Sequence, residues 1–357
     1  MITQRNALAA SNALFMALLA LALLSAAPKS WAKDETTPLL VDTSFDAADA
    51  AAKGFTIPDT AALKGIKRVA VPVFAVEFIT ADSVSSYTFS FGAAGRTNSS
   101  MYYRLLGVGE PDFQAITDGL YLRFLQSLRA SGLEVIDAAQ IAAAPAYAKL
   151  LSGATPGPIR SDSTMMMSPP GLGLYGFAKL GGGNSSSSKG LFGALSNVGA
   201  GFAAVGAIGD TIQLGTELDA SLLEVRMRVS FVQLSDDSKG FFGRLANSAS
   251  TTGKSFPSVD NVMMSVQSGP LRTSMTMKNT LTLNASAFAD VREKATTKAD
   301  IAGAVAVGLL KMAIGSKDSS SSKEMEVVAD PEKYRQVIGD GLITAGIMLV
   351  TRLQQER

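Results

Sequence analysis

Gly65-Ile66-Lys67-Arg68-Val69-Ala70-Val71-Pro72-Val73-Phe74-Ala75-Val76-Glu77-Phe78 is the stretch that decides the fold. Two basic residues lead into a nearly unbroken apolar run rich in β-branched side chains. A strand with one wet face alternates in polarity, whereas a strand covered on both faces does not. The run therefore predicts a strand buried on both faces. Pro72 has no N–H for a ladder, which places it at an edge, a bulge or an early exit from pairing.

The neighbouring segments supply cover for such a strand. Glu110-Pro111-Asp112 puts acid, proline and acid at a helix start. Phe113, Ile116, Leu120, Phe124 and Leu128 then share one stripe, widened by Tyr121 and Leu125, and Gly132 ends the helix. Leu133-Glu134-Val135-Ile136 predicts a short strand, and Asp137 caps an Ala-rich helix through about Leu151. Strand, helix, strand and helix in this order define an α/β arrangement.

Between the first strand and the first helix lies a hairpin pattern. Tyr87, Phe89 and Phe91 alternate with Ser86, Thr88 and Ser90; Gly92–Gly95 can turn; Met101, Tyr103 and Leu105 alternate with Tyr102 and Arg104. Further along, Leu223, Val225, Met227, Val229 and Phe231 oppose Glu224, Arg226, Arg228 and Ser230, a strand with two unlike faces. Met275 to Ala287 also alternates, and is long enough to bend. Ala299 to Ile314 predicts a helix. Asp330-Pro331-Glu332 opens a last helix that carries Gly339, Gly341 and Gly346, which suggests close packing against a neighbour. Thr164–Met167 reads as a short strand. Ser185–Ser188 and Ser319–Ser322 read as flexible serine loops.

Arg5, the apolar run Ala13–Leu24 and Ser30-Trp31-Ala32 form a basic, apolar and small-x-small series, as in an export signal cleaved between Ala32 and Lys33. The apolar run is shorter than the ~20 residues of a spanning helix. No cysteine is present to carry a lipid at the new N-terminus. The organisation expected is a signal peptide over 1–32, an N-terminal arm or linker over 33–62, and one domain over 63–357 with insertions at about 82–108 and 152–215.

Composition narrows the chemistry. The chain has no histidine and no cysteine, and its only tryptophan is Trp31. An imidazole base, a thiolate nucleophile, a disulfide and thiolate or imidazole metal sites are all excluded. The 32 basic and 31 acidic residues nearly balance. Arg5 and Lys29 fall in the leader, so the mature chain carries about −1 and lacks the basic stripe of a nucleic-acid binder. Gly171-Leu172-Gly173-Leu174-Tyr175-Gly176 spells a dinucleotide fingerprint, but Pro169-Pro170 precede it and a serine-rich loop follows, so no helix N-terminus is expected for a pyrophosphate. Asp210, Glu217, Asp219 and Glu224 are the acids available for a two-carboxylate hydrolase. A Ser-x-x-Lys at Ser185–Ser188–Lys189 sits inside low-complexity sequence.

Lys67–Val73, the helix Thr117–Leu128 and Ser131–Ile136 resemble the opening β-α-β of periplasmic domains with an anticodon-binding-domain-like fold. That fold occurs in the curli secretion channel family and in the N-terminal domain of the Tol β-propeller protein. The strand Leu223–Val232 with Asp236–Gly240, and the terminal helix Tyr334–Leu353, are similar to later parts of it. The resemblance implies an envelope protein with a binding or assembly role, possible as an oligomer. The curli channel is a lipoprotein and this chain has no cysteine, so channel activity does not carry over.

The expectation is an α/β (α+β) fold: a mixed β-sheet of strands near Ile66, Leu133, Leu223, Met275 and Met325, flanked by helices, with an inserted β-hairpin and Gly/Ser-rich loops. The function expected is binding without turnover in the periplasm, at the outer membrane or outside the cell, with a protein or envelope component as partner, homo-oligomers as one arrangement, and no cofactor, metal or nucleic acid. The partner or membrane surface expected is Tyr87, Phe89, Phe91, Met101 and Tyr103 of the hairpin, with Leu191, Phe192 and Phe202 of the Gly/Ala-rich segment. An outer-membrane pore or secretion-channel subunit is the alternative, and a carboxylate hydrolase a third.

Overall fold

The computed structural model describes residues 38–42, 44–89, 96–152, 157–174, 203–232, 256–294 and 319–357. The leader, its cleavage point at Ala32 and Lys33, and the helix expected over Ala299–Ile314 lie outside these residues. The fold is mixed α and β, with two mixed sheets and helices against the larger one.

β3 (Arg68–Ile79) is the spine of the larger sheet, and every residue from Val69 to Ile79 is buried. β9 (Ser221–Ser230) runs parallel to it, pairing Phe74 with Val225 and Glu77 with Arg228. On its other side β3 pairs in parallel with β6 (Glu134–Val135) and antiparallel with β8 (Thr164–Met167). β10 (Ser258–Ser268) lies antiparallel to β9 and turns into β11 (Leu271–Met277). Short strands β1 (Leu39–Leu40), β2 (Phe55–Thr56), β7 (Ile159–Arg160) and β12 (Leu281–Thr282) extend the edges. Pro72 falls where the pairing with β9 slips, between Ala70 and Val73. Its carbonyl accepts the Tyr147 hydroxyl at 3.1 Å. The residue without a donor thus sits at an irregularity, as its chemistry requires.

Helices α2 (Glu110–Ala130) and α6 (Pro331–Glu356) cover one face of this sheet together. Phe74 meets Tyr121 edge-on at 5.3 Å and Phe124 at 5.5 Å, and Phe78 stacks on Phe113 at 4.4 Å. Asp330 caps α6, its carboxylate accepting the N–H groups of Glu332 and Lys333. α4 (Pro145–Ser152) and α5 (Ala203–Leu218) cover part of the opposite face, near Leu222. Glu217 of α5 accepts the Ala146 N–H at 2.9 Å and so satisfies a donor at the start of α4.

The structure corrects five sequence expectations. The helix expected from Asp137 to Leu151 is two, α3 (Ala138–Ala143) and α4, because Ala144 is extended ahead of Pro145. The arm expected before residue 63 contains α1 (Ala47–Lys53), capped by Asp46 and packed on α6. Met275–Ala287 is not one strand: β11 ends at Met277, β12 follows, and a 3-10 turn spans Ala285–Ala287. The strand near Met325 leaves the larger sheet altogether.

That strand, β14 (Ser319–Ala329), belongs to a second, four-stranded sheet in the order β13 (Phe288–Glu293), β14, β5 (Arg96–Leu106), β4 (Ala81–Phe89). Ser319–Ser322, expected as a loop, pair in parallel register with Thr97–Ser100. The expected hairpin is present as β4 and β5, with Ala81 opposite Arg104 and Phe89 opposite Arg96. Its turn over Gly92–Gly95 lies outside the described residues.

The glycines of α6 divide by their surroundings. A Cβ on Gly341 would lie 2.5 Å from the Leu283 side chain, whereas one on Gly339 would meet nothing within 4 Å. Gly339→Ala is expected to stabilise by about 0.5–1 kcal/mol by restricting the unfolded chain. Gly341→Ala is expected to destabilise by about 1–3 kcal/mol through overpacking. Urea unfolding of the two variants reads the opposite signs; equal shifts would contradict the packing described.

Candidate functional site

Thr80 is the corner at which the chain leaves one sheet for the other. β3 ends at Ile79 and β4 begins at Ala81. The Thr80 and Ala81 N–H groups both donate to the Ser163 carbonyl, at 2.7 and 3.1 Å, and the Thr80 carbonyl accepts the Leu105 N–H at 2.9 Å. Two sheets joined at a corner leave a wedge between them, and here the wedge is a cavity of about 410 Å³. It lies within the size range of small-ligand sites. Its lining comes from the end of β3, the start of β4, the end of β5, the turn before β8, the end of β9 and the middle of β14.

The cavity mixes apolar and charged walls. Ile79, Tyr103, Leu106 and Met325 supply the apolar part. Asp82, Arg104, Asp162, Lys294, Glu324 and Glu326 supply the charges. Glu324 pairs with Lys294 at 2.6 Å and Glu326 with Arg292 at 2.9 Å. Asp82 accepts one hydrogen bond, from the Ser83 N–H at 2.7 Å, and meets no cation at ion-pair distance among the described residues.

Behind this wall runs a row of buried charge on the sheet face turned away from α2 and α6. Register sets Glu77, Arg228 and Asp260 side by side across β3, β9 and β10. The Arg228 guanidinium donates to Asp260, whose second oxygen accepts the Ser230 hydroxyl at 3.0 Å. Glu77 is fully buried. Glu224, Arg226 and Arg272 form a second group on the same face. Sequence alternation identified the polar side of β9, and the structure places that side largely out of water.

Burial pushes the Asp82 carboxyl above the ordinary aspartate range; the Ser83 N–H and Arg228 pull it down, and Asp260 adds to the rise. The folded state therefore holds this proton more tightly than the unfolded chain does. That contribution to stability is present in acid and is lost as pH rises through the folded value. Asp82→Asn, which has no charge to desolvate, is expected to melt above the parent at pH 7, with the gap closing below the ordinary aspartate value of 3.8. Thermal melts at pH 7 and in acid check this, and a variant less stable than the parent at pH 7 would contradict it. Burial also lifts the Tyr103 phenol to about 12, so it is neutral throughout.

Of the expected surface residues, Tyr87, Phe89, Met101 and Tyr103 lie on the paired strands β4 and β5. Tyr103 lines the cavity but is 4% exposed, while Tyr102 beside it is 50% exposed. Met101 is half-buried and packs on the core. Phe91, Leu191, Phe192 and Phe202 lie outside the described residues. The four acids considered for hydrolysis hold separate posts. Glu217 serves α4, Asp219 pairs with Arg68, Glu224 pairs with Arg226 and Arg272, and Asp210 is half-exposed on α5. None of the four lines the cavity. Among the described residues no group of three or more acids is arranged to hold a metal ion. In the fingerprint-like glycines, Gly171 makes a turn at φ +83° and Gly173 donates its N–H to Tyr147 at 3.0 Å. Asp82 and Asp162 were not singled out from sequence; an isolated aspartate beside a strand end carries no periodic signal.

No family model, curated protein or solved structure matches this chain. α6 is the one helix among the described residues that is long and apolar enough to cross a membrane, and half of its apolar window is buried in the fold.

Proposed function

We propose that this chain is an exported envelope protein that binds a partner without turnover, and that the cleft between its two sheets is where it does so. The cleft carries the reading. It is concave, of ligand size, and built on strand ends that hold their side chains rigidly. The leader-like N-terminus supports export, and the lack of imidazole and thiol beyond residue 32 supports binding over catalysis. Tyr102 stands half-exposed at the cleft edge, where a bound partner would cover it.

The test is a photo-crosslinking amino acid placed at Tyr102 in the full chain, with Leu122, 60% exposed on α2, as the control position. A discrete adduct in the envelope fraction from position 102 and none from 122 is the expected outcome. No adduct at either position, or the same adducts at both, would reject the cleft as the binding site. Osmotic-shock release with sizing of the native species tests the location.

One observation favours the channel reading. β4 spans 9 residues, β5 and β14 span 11 each, and strands of this length cross a bilayer. Against it, the paired segments Thr97–Ser100 and Ser319–Ser322 carry none of the apolar residues from which a lipid-facing band is made. A channel subunit would sediment with outer membranes and need detergent for release as a ring.

A further inference from the structure

We infer that the cleft receives an alkylammonium group, with Asp82 as its counter-ion; this rests on the cleft being the binding site. An ionised carboxylate offers about four acceptor sites. Asp82 uses one of them, for the Ser83 N–H. Arg228, whose charge acts on Asp82, is committed to Asp260. The glutamates of the cleft are also committed, Glu324 to Lys294 and Glu326 to Arg292. Asp82 is thus the half-buried charge of the cleft that its own neighbours leave without an ion pair among the described residues, and the exposed Asp162 adds to the same sign.

The remaining wall defines the rest of the ligand. Ile79, Leu106 and Met325 offer hydrocarbon, and the Tyr103 ring lies among them. A ligand with a short alkyl chain ending in a cation satisfies both parts of the cavity. A bare divalent ion fits poorly, because it needs six or more oxygens and, among the described residues, the lining offers two uncommitted carboxylates. An anion would meet Arg104 but also both Asp82 and Asp162.

The ammonium has two sources, a free amine or the lysine side chain of a partner protein. Binding of cadaverine, of acetyl-Gly-Lys-Gly-amide and of acetyl-Gly-Gln-Gly-amide to the purified full chain separates them by calorimetry. One or both cationic probes should bind with one-to-one stoichiometry, and the glutamine peptide should not. Asp82→Asn should weaken the cationic probe roughly tenfold or more, the scale of a lost charged hydrogen bond. Asp82→Ser is the second variant, and circular dichroism confirms that each is folded. Cadaverine alone binding identifies a free amine; the lysine peptide alone identifies a protein side chain. Binding of neither, or binding indifferent to both Asp82 variants, overturns the inference. Crosslinking at position 102 would survive that failure if the cleft binds something else.

Discussion

Arg228→Met is expected to lower the unfolding free energy by about 3–5 kcal/mol, the scale seen when one partner of a buried ion pair is removed. The guanidinium is 14% exposed and its partner Asp260 is 19% exposed. Burial pulls the guanidinium's proton affinity down, but Asp260, Glu77 and Asp82 together outweigh it and leave the pKa raised. Methionine would fill most of the space and leave fully buried Glu77 facing Asp260 without the intervening cation. The loss comes from stranded charge and not from a cavity. A triple variant, Arg228→Met with Glu77→Gln and Asp260→Asn, should therefore recover more than half of it. Urea titrations of the single and triple variants measure both quantities. A single variant within about 1 kcal/mol of the parent would mean that water reaches the row, since surface pairs are worth no more than that.

Phe74→Ala is expected to cost about 3–5 kcal/mol for a different reason, the deletion of a large ring from a packed interior. Phe74 is fully buried and joins β3 to α2 through Tyr121 and Phe124. The chain around it cannot collapse easily. β3 is held by β9 on one side and by β6 and β8 on the other. Leu122→Ala, on the same helix but 60% exposed, should stay within about 0.5 kcal/mol of the parent. Similar losses for the two variants would refute the placement of α2.

The elements legible in sequence were those whose signal is local. The unbroken run from Val69 to Phe78 announced a strand covered on both faces, and its residues are buried. Asp330-Pro331-Glu332 marked the start of α6 to the residue. The start of β14 was missed because Ser319–Ser322 have no alternation of polarity; parallel backbone bonds to β5, more than 200 residues earlier, make them a strand. Its assignment to the wrong sheet has the same cause, since periodicity says that a segment is extended and not with which strand it pairs. α1 was missed because its alanines form no apolar stripe, although the Asp46 cap was visible. The cleft was not legible at all. Asp82 and Asp162 come together with β14 through a corner at Thr80, and no spacing along the chain encodes a corner.

The position of α6 bears on how the chain is made. Its 26 residues lie against α1 and α2, with Arg352 donating to the Ala52 carbonyl and Arg357 to that of Ser131. β3 waits likewise for β9, some 150 positions later. A nascent polypeptide with only its first half synthesised can complete neither the spine nor its lid, and high contact order slows what pairing there is. Such a molecule stays open, its apolar faces uncovered, until its closing helix arrives.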